Sequence, residues 1–80
     1  MKATELAAKI ESVEGVKVCI VAPNDVEFDD YTYSRKAKGN QTVTDFKNDR
    51  LAKAAKGYSV EVFSKNNEPV HGSTLLSNLR

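Results

Sequence analysis

The sequence predicts a small α+β fold: a two-layer sandwich of αββαββ type, with two helices packed on one face of an antiparallel sheet. Three observations predict it. Apolar residues at helical spacing open the chain, at Ala3, Leu6, Ala7, Ile10 and Val13. A second stretch rich in helix formers, DFKNDRLAKAAK, occupies residues 45–56 and stops at Gly57. Each stretch is followed, across a glycine, by a β-branched run: VKVCIVA at 16–22 and YSVEVFS at 58–64. The halves thus share one plan of helix, glycine, strand and Asn-containing turn, and the resulting order is a circular permutation of a βαββαβ arrangement.

The first helix is expected over residues 3–13, with Glu5 and Lys9 spaced as a favourable exposed pair. Gly15 ends it in left-handed geometry. In residues 16–22, Val16, Val18 and Ile20 share one face, and Lys17, Cys19 and Val21 the other. Both faces are so apolar that a central strand, covered at least partly on both sides, is expected. Pro23-Asn24-Asp25 reads as a turn, because proline pins φ and Asn or Asp tolerates tight geometry. VEFDDYTY, 26–33, is expected to return as an antiparallel strand. Its alternation slips at Asp29-Asp30, which calls for a bulge or bend there.

Residues 34–41 are polar and read as an exposed loop. Thr44 is expected to cap the second helix, with Asp45 adding charge to its first turn. Phe46, Leu51, Ala55 and Tyr58 are assigned to the core. Lys65-Asn66-Asn67 makes a turn after the second strand. Pro69-Val70-His71 reads as an edge strand, where proline is tolerated, and a last turn of helix passes through Leu75, Leu76 and Leu79.

Eighty residues are expected to make a single small globular domain, 1–80, near the lower size limit for an unstapled core. A composition 40% hydrophobic and 29% charged is that of a globular chain rather than a disordered one. The net charge of +1 gives local clusters more weight than the total. One cysteine excludes an internal disulfide, and Cys19 with the lone His71 falls short of a zinc ligand set. No metal and no cofactor is expected. No apolar run approaches the roughly 18 residues of a membrane span, and residues 1–15 lack the apolar stretch of a signal peptide. A cytoplasmic protein with a reduced thiol is the economical expectation, with no membrane partner.

No catalytic constellation stands out, so the chain is not expected to be an enzyme. Cys19 lacks a base to activate it and is expected to be a buried, inert thiol. His71, just before Gly72, has no companion group and reads as an edge residue. Asp25, Glu27, Asp29 and Asp30 offer carboxylates without the rhythm of a calcium loop, which favours a solvated, aggregation-resistant edge. More informative is the juxtaposition of Tyr31 and Tyr33 with Arg35, Lys36 and Lys38. Tyrosine and arginine are favoured at the centres of protein interfaces.

The expected function is a non-catalytic protein-binding or regulatory module. Phage-encoded inhibitors and accessory proteins often have this form. It would dock another protein through Tyr31, Tyr33, Arg35, Lys36 and Lys38, or close an uncovered sheet face or edge with a second copy of itself. The alternative is a nucleic-acid binder. In that reading Arg35, Lys36, Lys38, Lys47, Arg50 and Lys53 neutralise phosphates and the tyrosines stack on bases. Asp45 and Asp49 dilute that surface.

Overall fold

The computed structural model describes residues 1–80 and has a mixed α+β architecture. Helix α1 spans Ala3–Glu14. Its backbone is anchored at the start by the Lys2 amide, which donates to Glu5 Oε1 at 3.0 Å. Leu6 and Ile10 are fully buried and Ala3, Ala7 and Val13 half-buried, as the helical spacing requires. Gly15 ends the helix at φ 75°, donating its amide to the Glu11 carbonyl at 2.9 Å.

Strand β1, Lys17–Val21, pairs antiparallel with β2, Ser59–Phe63, in the register Lys17↔Phe63, Cys19↔Glu61 and Val21↔Ser59. These two strands are the whole sheet. Its inner face, with Val16, Ile20, Val60 and Val62, closes on Leu6, Ile10, Phe46 and Leu51. The outer face is uncovered. Cys19 is exposed there, and Val21 is 56% exposed. The expectation of a central strand covered on both sides is therefore overturned, and with it that of a buried Cys19.

The four-stranded expectation is reduced as well. Residues 26–33 form no strand. Phe28 exchanges two hydrogen bonds with Met1, each 2.7 Å, so that segment's backbone is paired to the chain start and not to β1. Phe28 and Tyr31 both enter the core, three residues apart, which strand alternation forbids. The backbone between them is braced by Asp30 Oδ1, which accepts from the Tyr31 amide at 2.9 Å. The bend expected at Asp29-Asp30 is thus the point at which the strand pattern fails. The edge strand expected at 69–71 shrinks to one bridge, Pro69 with Phe63.

The second helical segment starts at Val43 and is capped by Thr42, whose hydroxyl accepts from the Asp45 amide at 3.2 Å. Thr44, the expected cap, lies inside it. The cap moves because Val43 is buried and its amide, like that of Thr44, is held by the carbonyls of Thr74 and Gly72. After α2, Val43–Phe46, the helix widens into a π-turn at Lys47–Leu51 and closes with α3, Ala52–Ala54. The wider turn brings positions 46 and 51, both buried, nearer to one face than α-helical geometry would. The chain then leaves through left-handed Lys56 and Gly57. A 3₁₀ turn at Leu76–Asn78 buries Leu76 and Leu79 against the same core.

Phe46 is the largest side chain with no exposure. Phe46→Ala is expected to cost about 3–5 kcal/mol, a large share of a small domain's stability. The solvent-side Lys53→Ala should stay within about 0.5 kcal/mol. Urea unfolding midpoints of the two variants against the parent protein check this.

Candidate functional site

The most concentrated chemistry in the molecule surrounds Glu14, the last residue of α1 and the one charged side chain in the core, 0% exposed. A carboxylate at a helix C-terminus faces the negative end of the helix dipole, so its placement needs compensation from elsewhere. Four groups supply it. Tyr31 Oη donates to Glu14 Oε2 at 2.5 Å, and Arg50 Nη1 donates to the same oxygen at 2.6 Å. The Ala37 amide donates to Oε1 at 2.6 Å, and Arg80 Nη2 stands 3.5 Å from that oxygen. Arg80 Nε also donates to the Glu14 carbonyl at 2.8 Å, satisfying one of the orphan acceptors at the helix end.

Arg50 extends the cluster outward. Nη1 donates to the Arg35 carbonyl at 2.7 Å, and the guanidinium lies 4.2 Å above the Tyr33 ring. That ring in turn packs on Tyr31 with centroids 5.2 Å apart. Burial alone would lower the Arg50 pKa, but the hydrogen bond and charge of Glu14, with help from Tyr31, carry it above the ordinary value. Burial, with the hydrogen bond and charge of Glu14 behind it, also pushes the Tyr31 phenol well up despite the opposing pull of Arg50. Tyr31 Oη, the Ala37 amide, Arg50 Nη1 and Arg80 Nε are all engaged, and only Arg80 Nη2 is buried without a hydrogen-bond partner, so the arrangement acts as a clamp. It holds α1, the 31–37 segment, the π-turn and the chain end together.

The residues singled out from the sequence fall into two groups. Tyr31 is 3% exposed and bonded to Glu14, so its ring packs in the core. Tyr33 is half-buried beneath Arg50, whose charge is bound inside the clamp. Arg35, Lys36, Lys38 and Lys53 are exposed, and Lys47 is half-buried. The Arg50–Arg35 bond holds the loop of basic residues beside the helical segment that carries Lys47 and Lys53. Glu14 and Arg80 were not expected to matter. The one signal for Glu14 was an acidic residue where a helix end prefers a base.

A second surface comes from the sheet. Val62 accepts from the Val70 amide, and Ser64 donates to the Glu68 carbonyl, so both point away from β1. In an antiparallel ladder this alternation turns the N–H and C=O of Lys17, Cys19 and Val21 toward β2 and those of Val18 and Ile20 outward. No third strand stands there to receive them. Alongside this edge runs a groove of about 300 Å³, between Val18–Ile20 and the Thr4, Ala7, Ala8 and Glu11 side of α1. A second cleft of about 280 Å³ lies between Asp29–Tyr33 and Lys53–Lys56. No group of His, Cys, Asp and Glu is arranged to hold a metal ion, and no helix is long and apolar enough to cross a membrane. No protein-family model, no curated protein and no solved structure matches the chain.

Two outcomes follow from the clamp. Arg50→Ala leaves a buried carboxylate without its principal partner and is expected to cost about 3–5 kcal/mol. In a domain of this size that lowers the melting temperature by more than about 10 °C, measurable by circular dichroism. Because the folded protein holds the Tyr31 proton more tightly than the unfolded chain, its contribution is complete below the ordinary phenol pKa of 10.0. It is lost as pH rises through the raised value. An ultraviolet titration should therefore show one tyrosine ionising late, a phase absent from Tyr31→Phe.

Proposed function

We propose that the chain is a non-catalytic protein-binding module whose docking element is the open edge of β1. The observation that carries this reading is the outward row of backbone groups on Val18 and Ile20, beside a groove and without a partner strand. Extended peptides add to such edges through main-chain hydrogen bonds, while side chains entering the flanking groove supply selectivity. Natural edges are usually guarded by charge, proline or a bulge. This one is guarded only at its ends, by Lys17 and Pro23. The small size and the surplus of binding features over catalytic ones suit a regulator, inhibitor or accessory protein of the phage type. An exposed free thiol at Cys19 suits a reducing, cytoplasmic setting.

Backbone amide exchange tests the docking element. The Val18 and Ile20 amides should exchange quickly in dilute protein and become protected when the edge is filled. Protection that appears only elsewhere would remove this reading.

A second reading, nucleic-acid binding, draws on the Arg50–Arg35 bond that sets the loop cations beside the helical segment. The surface then comprises Arg35, Lys36 and Lys38 with Lys47 and Lys53. Arg50 and the tyrosines serve as its support. Replacing Arg35, Lys36 and Lys38 by Ala should weaken single-strand binding and flatten its salt dependence, the slope falling by about 0.7 for each phosphate no longer neutralised. Affinity that is indifferent to salt would exclude it.

A further inference from the structure

Resting on the docking reading above, we infer that the strand that fills the β1 edge is β1 of a second copy, paired antiparallel about a two-fold axis at Cys19. The edge is complementary to itself. Rotation about that axis sets Val18 opposite Ile20 of the second copy and Ile20 opposite its Val18. The N–H and C=O groups that point outward on each strand then exchange four hydrogen bonds, and none of those on Val18 and Ile20 is left over.

Side chains agree with the same axis. On the outer face, the one charged residue of β1, Lys17, comes opposite Val21 of the second copy. The two ammonium groups are thereby kept apart, and the lysine stem covers a valine that is 56% exposed. Helix α1 runs back along β1 from the turn at Gly15. From Lys17 to Cys19 the strand advances about 7 Å, which α1 covers in about 4–5 residues. Ala7 and Ala8 of α1 therefore lie near the axis. Their small side chains admit close approach of the two helices, and Glu11 of each copy faces Thr4 of the other, a carboxylate against a hydroxyl donor. The product is a four-stranded antiparallel sheet, β2-β1-β1-β2, with a helix from each copy on the same face.

Cys19 serves as a reporter. Opposed residues of a non-hydrogen-bonded antiparallel pair have Cα atoms about 4.5 Å apart, inside the range of about 4.4–6.8 Å that a disulfide spans. Two thiols at the axis then join as one S–S bond. Two protons and two electrons pass to an added azo oxidant such as diamide, which is reduced to its hydrazine.

The test is a charge exchange read by sedimentation equilibrium and by diamide crosslinking. The parent protein should dimerise reversibly and crosslink through Cys19, while Cys19→Ser should dimerise without crosslinking. V21K places two ammonium groups opposite each other twice per dimer. It should weaken association about tenfold or more. Adding K17E to V21K turns both clashes into ion pairs and should restore association and crosslinking. Both positions lie on the outer face, outside the core, so folding measured by circular dichroism should be kept. A dimer indifferent to V21K, or one that K17E does not rescue, overturns the two-fold pairing. A monomer whose Val18 and Ile20 amides are protected by an added foreign peptide overturns it too while keeping the docking reading. A monomer whose edge nothing protects overturns both.

Discussion

The burial of a carboxylate at the end of α1 is the constraint on which the rest of the structure depends. Taking Glu14 out of water is costly, and the attraction of one cation repays that cost only when the remaining lone pairs are also satisfied. Tyr31, Ala37, Arg50 and Arg80 meet that demand from four places in the chain. Satisfying it determines the course of the 31–37 segment, which must bring a phenol and a backbone amide to one side chain. It also explains the use made of the π-turn, where Arg50 reaches Glu14 while its neighbour Leu51 enters the core.

Once 26–37 is committed to the clamp and to Met1, it is no longer free to serve as a strand. β1 then finds its only partner in β2, across a long connection, and its other edge stays open. The buried ionic cluster and the exposed edge are thus linked: the segment that would have covered the edge is used to hydrogen-bond Glu14. Interior polar satisfaction and surface availability are decided by the same stretch of chain.

This linkage separates polar groups engaged inside the protein from those left unpaired at its edge. Of the residues that look most like an interface in the sequence, Tyr31 has its hydroxyl engaged inside the protein and Tyr33 lies beneath the Arg50 guanidinium, while Arg35, Lys36 and Lys38 are exposed. The backbone of Val18 and Ile20, by contrast, carries unspent hydrogen-bonding capacity. The two tyrosines are drawn into the fold, and the backbone groups left unpaired on β1 belong to Val18 and Ile20, ordinary apolar residues.

Local sequence determined the elements whose causes are local. The spacing of Leu6 and Ile10, the glycines at 15 and 57 and the alternation in SVEVF need only near neighbours, and each appears where its pattern lies. The inner face of Val16, Val18 and Ile20 was legible for the same reason. Segments that had a choice were not. VEFDDYTY has the β propensity for a strand, but the core takes Phe28 and Tyr31 three residues apart, and propensity gives way to burial. Thr42 and Thr44 are equivalent caps until the carbonyls of Gly72 and Thr74 select one. Cys19 looks buried until the sheet proves to have a single layer of cover. Glu14, acidic at a helix end, is locally unfavourable. What makes it favourable is Arg50 and Arg80, 36 and 66 residues away along the chain. Only the tertiary structure brings those charges together, because long-range electrostatic pairing leaves no period in a sequence.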